Sequence, residues 1–160
     1  MPVERLEENN VKNENERKKE YLRGYRTNRR RVNRIDGEVT ELRELAKSLK
    51  ATDYSGMPHG SGNQKDLSDE LARIELLEKK LGEEKEKCIE SYIAVEKQIK
   101  TVQNEDENDV LFYRYVKGLR WWEIAELMDC SEQWVHKLHG RALGHLKFCL
   151  LYTSPSPRDS

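Results

Sequence analysis

The chain has 160 residues, 36% of them hydrophobic and 37% charged, and a formal net charge of −1. That length allows one or two domains, but the composition is too polar for one large globular core, so much of the charge must lie on long solvated helices. No run approaches the roughly 18 apolar residues of a membrane helix, and the N-terminus is charged where an export signal is apolar, so a cytoplasmic protein with no membrane partner is expected.

The small net charge hides an asymmetry. Lys12 to Arg34 carries ten Lys or Arg against three Glu, whereas Asp66 to Asp109 carries seven basic and fourteen acidic residues. Cys88, Cys130 and Cys149 show no C-x-x-C spacing, and without an export signal no disulfide is expected. A zinc set of Cys130, His136, His139 and His145 would have to converge from several sides of one helix. No metal site is expected, and His residues there read as surface imidazoles.

In chain order, residues 1–15 are polar and aperiodic and are expected to be disordered. Residues 16–104 read as a coiled-coil helical hairpin. Its first helix carries Tyr25, Asn28, Val32, Ile35, Val39, Leu42, Ala46 and Leu49 at three- and four-residue steps, the pattern of a coiled-coil seam. At about 1.5 Å per residue this helix would be roughly 50 Å long, and it needs a partner to be stable in water. The Gly-, Pro- and Ser-rich segment 51–65 is the expected loop, after which Asp66 or Ser68 can cap a second helix. That helix carries Leu67, Leu71, Ile74, Leu81, Cys88, Tyr92, Val95, Ile99 and Val102, with Glu78 and Lys85 as polar interruptions. The simplest arrangement pairs the two helices antiparallel, and leftover apolar positions such as Leu45, Leu77 and Ile93 could recruit a second chain into a homodimer. The basic run YRTNRRRVNR reads equally as a DNA-backbone patch or as a solvated helix face.

Residues 105–148 read as three short helices with a tight turn before the last, a helix-turn-helix signature. Asp106 or Asn108 can cap the first helix, with Val110, Leu111, Tyr113 and Val116 as its core contacts and Gly118 as its end. In the second helix Trp121, Ile124, Ala125 and Met128 recur on one helical face. Leu127 is expected to join Trp121, Ile124, Val135 and Leu138 in the core. Asp129 and Cys130 form the break, and Ser131 is placed to cap the third helix. There Val135, Leu138, Ala142 and Leu146 lie on one stripe, so Glu132, Gln133, His136, Lys137 and Gly140 fall mainly on the other side, free to enter a groove.

The run Gly118, Glu123, Ile124, Ala125, Ser131, Val135, Leu138, Ala142, Leu143 and Leu146 resembles region four of bacterial sigma factors. Together with the upstream hairpin and its MPHGSG loop, it resembles the ArpU/RinA-like family of phage transcriptional regulators, over roughly Tyr21 to Phe148. The resemblance implies a regulator of late phage genes for packaging and lysis, with double-stranded DNA as partner and a contact to host RNA polymerase. Carried over residue by residue, it aligns Glu132, Gln133, His136 and Lys137 with base-reading positions. Trp134 and His136 stand where basic residues are frequent in the pattern. Lys117, Arg120 and Arg141 are expected on the DNA backbone.

Two other functional classes fit the same layout: a phage DNA-packaging component such as a small terminase subunit, and a coiled-coil protein-interaction adaptor. An enzyme is not expected, because no paired carboxylates, nucleophile–base set or phosphate loop occurs, and no cofactor is expected. The tail CLLYTSPSPRDS, residues 149–160, reads residue for residue as the translation of a sequencing-library adapter and is set aside as an artefact.

Overall fold

A computed structural model of the chain describes residues 2 to 53 and 62 to 147. Every element among them is helical: α1 Pro2–Asp53, α2 Gly62–Ile99, α3 Glu105–Leu111 continued by a π-helical turn Phe112–Lys117, α4 Trp121–Leu127 and α5 Glu132–His145. The tail 149–160 and the middle of the expected loop lie outside the described residues.

Helix α1 begins at Pro2, where the sequence reads as aperiodic. Residues 3–14 are exposed throughout, so this stretch is helical without a packed face, and Glu4 in its first turn opposes the positive end of the helix. Residues 51–53 continue α1, and α2 starts at Gly62 instead of at an Asp66 or Ser68 cap.

The helices form two compact units. One holds the chain up to Arg26 together with everything from Ser91 onward; the other is Thr27–Glu90. This grouping differs from a boundary at residue 105, and the packing explains why. Leu22 of α1 and Val95, Ile99 and Val102 at the end of α2 share one buried cluster with Leu111, Tyr115, Ala142, Leu143 and Leu146. A second cluster joins Val110, Ile124, Ala125, Val135 and Leu138, with Tyr113, Leu119, Trp121, Met128 and Cys130 against it. The neighbours Val110 and Leu111 thus serve different clusters, and α5 feeds one with its first half and the other with its second.

Polar contacts pin this first unit. Asn108 donates its side-chain amide to the carbonyls of Ile99 and Val102 at 2.9 and 3.1 Å. The buried Lys18 ammonium donates to the Leu143 carbonyl at 2.8 Å and meets Glu14 at 3.2 Å, satisfying an orphan carbonyl near the end of α5. Buried Glu107 accepts from His145 at 2.6 Å. The cap of α3 is Asn104, whose side chain accepts from the Glu107 N–H at 3.0 Å, and neither Asp106 nor Asn108 has that role. Asn104 sits one residue before the helix in extended backbone, whereas those two are already inside its turns.

In the second unit the seam of α1 buries Val32, Ile35, Val39 and Ala46, and that of α2 buries Ile74, Leu81 and Cys88. Leu42 and Leu67 are half-buried, whereas Leu49 and Leu71 are exposed, so the seam thins away from its centre. Glu84 lies buried in the seam, where Lys87 and then Arg31 hold its carboxyl below the usual carboxylate range. Arg43 pairs with Glu78, and Lys85 with Asp36.

Candidate nucleic-acid interface

The residues expected to meet DNA lie on or beside the Phe112–His145 segment. The π turn ends at Gly118, whose left-handed φ of 72° lets the chain reverse, while the N–H groups of Gly118 and Leu119 both donate to the Tyr113 carbonyl. Arg114 reaches across that reversal to the Leu119 carbonyl at 3.0 Å, and its guanidinium lies 4.3 Å from the Trp121 ring centre. Glu123 accepts from the Arg120 N–H at 2.7 Å and closes the start of α4. This is half of a reciprocal cap.

Between α4 and α5 the chain turns at Asp129, a non-glycine residue with φ of 52°. Asp tolerates this region because its short polar side chain can bond locally. Ser131 then caps α5, its hydroxyl accepting from the Trp134 N–H at 3.1 Å. Ile124 and Val135 are fully buried where the two helices meet. Leu127 is 58% exposed, contrary to the expected core. The buried face of α4 is Trp121–Ile124–Ala125–Met128, and at about 100° per residue Leu127 falls on its flank.

Glu132, Gln133, His136, Lys137 and Arg141 are all exposed on α5, and Lys117 and Arg120 are exposed beside the preceding reversal. They are not equally available. His136 meets Glu132 at 3.7 Å and rests its ring 4.5 Å from that of Trp121. Gln133 and Lys137 make no side-chain hydrogen bond or ion pair with the described residues. The outward stripe continues through Gly140 and Gly144, where an added methyl would meet open space. Trp134 is 39% exposed and carries the Arg141 guanidinium 5.2 Å from its ring centre; Lys117 lies 5.7 Å from the Phe112 ring.

His139 departs from the expected surface imidazole. It is buried, bonded through Nε2 to the Tyr115 hydroxyl at 2.8 Å, stacked on that ring and edge-on to Trp121. Tyr115 belongs to the first cluster and Trp121 packs on the second, so this pair joins them. Burial pushes the imidazole down to about 4, with Lys19, Arg114, His136 and Arg23 acting in the same direction. Burial also pushes the Tyr115 phenol up to about 12. Both groups are therefore uncharged at neutral pH. The other members of the zinc set are engaged separately, His145 with Glu107 and Cys130 against the second cluster.

The run YRTNRRRVNR offered α1 as a DNA-backbone patch or a solvated face, but where α1 meets the last module was not legible in the sequence. Lys19, Arg23 and Arg26 recur at steps of four and three, and Arg26 lies against Gly118. The helical spacing of these cations was a usable signal, but nothing local says that the first helix returns to the last module. Comparison with known protein families, with curated proteins and with solved structures finds no match to this chain.

Proposed function

We propose that the protein is a sequence-specific DNA-binding transcriptional regulator, of the kind its resemblance to ArpU/RinA-like phage regulators implies, acting on late phage genes. In this reading α4 and α5 are the two helices of a helix-turn-helix, and α1 and α2 form the long antiparallel hairpin that precedes it. The observation that carries the reading is the two-sidedness of α5. Val135, Leu138, Ala142 and Leu146 are buried along one side, while Gln133 and Lys137 stand unengaged on the other, above a glycine-smoothed surface that a groove wall can approach.

Gln133 would pair bidentately with adenine and Lys137 would donate to guanine O6 and N7, each good pair discriminating by roughly 1 to 3 kcal/mol. Lys117, Arg120 and Arg141 would hold phosphates, carrying affinity with little sequence information. Glu132 and His136, whose polar atoms lie 3.7 Å apart, would read bases only by turning from each other. Host RNA polymerase is the protein partner the sigma-like pattern suggests. A homodimer is supported by the exposed Leu45 and Ile93, whereas Leu77, the third position expected to recruit a second chain, is half-buried.

The test is selection of bound sequences from a random duplex pool. A defined motif is expected, doubled at about one helical turn, roughly 34 Å, if the protein binds as a dimer. A Gln133→Ala, Lys137→Ala double variant should lose preference at particular base pairs. Unchanged site ranking in that variant would remove α5 as the reader and favour the protein-interaction adaptor.

A further inference from the structure

We infer that Arg26, from the long first helix, completes a phosphodiester-binding site with Lys117 and Arg120 around Gly118, so that α1 itself touches the DNA backbone. The inference rests on the proposed DNA-binding reading and adds to it a contact some ninety residues away in the chain.

The geometry begins at Gly118. A methyl group built on its Cα would overlap the Arg26 guanidinium, so the head of that side chain is seated directly on the reversal between the π turn and α4. Lys117 precedes this glycine and Arg120 follows it by two residues, both exposed. Cationic residues from two distant parts of the sequence therefore meet at one backbone reversal: Arg26 by its guanidinium, Lys117 and Arg120 by their places in the chain. The nearest carboxylate along the chain, that of Glu123, is turned to the Arg120 backbone N–H at 2.7 Å.

Of the arginines further along α1, Arg29 and Arg30 are exposed with no ion pair among the described residues, whereas the others are paired. Arg31 pairs with Glu84, Arg34 with Glu38, and Arg43 with Glu78. Arg26 makes no hydrogen bond or ion pair with the described residues, although packing on Gly118 holds it in place. Arg114, the other guanidinium near the reversal, is committed to the Leu119 carbonyl and the Trp121 ring. A partly buried guanidinium seated on Gly118, with no ion pair among the described residues and two further cationic residues flanking that glycine, can accept an anion. Its planar fork matches two phosphate oxygens at once. Duplex DNA supplies phosphates at regular spacing, and Arg23, three residues before Arg26 on the same side of α1, extends the basic strip, whereas Lys19 is paired with Glu16 at 2.8 Å.

The experiment is a salt titration of binding to a random-sequence duplex and to the selected site, using the full chain. Each phosphate contact contributes about 0.9 to the slope of log affinity against log salt, so losing one changes the affinity ratio between 50 and 200 mM salt by about three- to fourfold. Arg26→Ala and Arg120→Ala are each expected to reduce the slope by about one and to weaken both duplexes by the same factor. Arg34→Ala, whose side chain is paired on the second unit, should leave the slope unchanged. An unchanged slope for Arg26→Ala beside a reduced one for Arg120→Ala overturns the inference and leaves the DNA-binding reading intact. Failure of the parent chain to bind either duplex overturns both. If Arg26→Ala also lowers the melting temperature, Arg26→Lys and Arg26→Gln separate charge from packing: the slope should persist with Lys and fall with Gln, and equal slopes in the two overturn the inference.

Discussion

The two units solve the problem of a charge-rich chain in opposite ways. In the unit containing the chain after Ser91, Leu22, Val95, Val110, Leu111, Ile124, Val135 and Leu143 are each less than 2% exposed, because several short helices cross and close on one another from different sides. In Thr27–Glu90 two helices meet along a single seam. Among its described side chains none is buried to that degree, and Leu45, Leu49, Leu71, Leu76 and Ile89 are exposed, as Val3, Leu6, Val11, Ile93, Trp122, Leu127 and Trp134 are in the first unit. A two-helix layer can cover only one stripe of each partner. The second unit adds cross-helix ion pairs to that seam, Arg31–Glu84, Arg43–Glu78 and Lys85–Asp36, whereas the caps lie in the first unit beside its interdigitated packing.

The largest break in this comparison should come from core truncation. Ile124→Ala removes a fully buried side chain and should destabilise the first unit by about 2 to 5 kcal/mol. Leu76→Ala, at a position 69% exposed in the second unit, should stay within about 0.5 kcal/mol. Paired urea melts followed by circular dichroism check both, and equal shifts would erase the distinction between the units.

Next in size is a pH effect confined to the first unit. The His139 imidazole is held at about 4 against an ordinary 6.5, so between those values the unfolded chain binds more protons than the folded one. Stability is unaffected above about pH 6.5 and falls as pH drops towards 4, by up to about 3 kcal/mol for this group. His139→Gln keeps a polar partner for the Tyr115 hydroxyl and cannot titrate. Its melting midpoint should fall less than the parent's between pH 7 and pH 4.5, and parallel pH profiles would place the acid sensitivity elsewhere.

A smaller effect sharpens the role of local signals. Ser131→Ala removes the hydroxyl that accepts from the Trp134 N–H and should cost about 1 kcal/mol. Amide exchange at the first turn of α5 should quicken more than exchange across the Ile124–Val135 contact. Uniform quickening would mean that the cap and the core open as one.

Much of the local structure was legible. The three- and four-residue steps of Val32, Ile35 and Val39, and those of Val135, Leu138, Ala142 and Leu146, identify buried stripes because helical periodicity is a property of the residues themselves. Ser131 as a cap and Gly118 as a helix end follow from side-chain and backbone chemistry within one turn. The same locality explains the errors. Leu127 is apolar and adjacent to a buried face, and only the crossing direction of α5 decides that it stays outside. Asn104 is the cap where Asp106 and Asn108 were also eligible, and the Asn108 side chain instead donates to the carbonyls of Ile99 and Val102.

The sequence by itself determined the helical class, the apolar stripes and the exposed side of α5, since each depends on residues within a few turns of one another. Only the tertiary structure decided that Lys18 and Leu22 pack with the last helix, that His139 is an uncharged link between two clusters, and that Arg26 rests on Gly118. Those outcomes depend on which distant surfaces fill one another's space and satisfy one another's polar groups, and no periodicity along the chain encodes that choice.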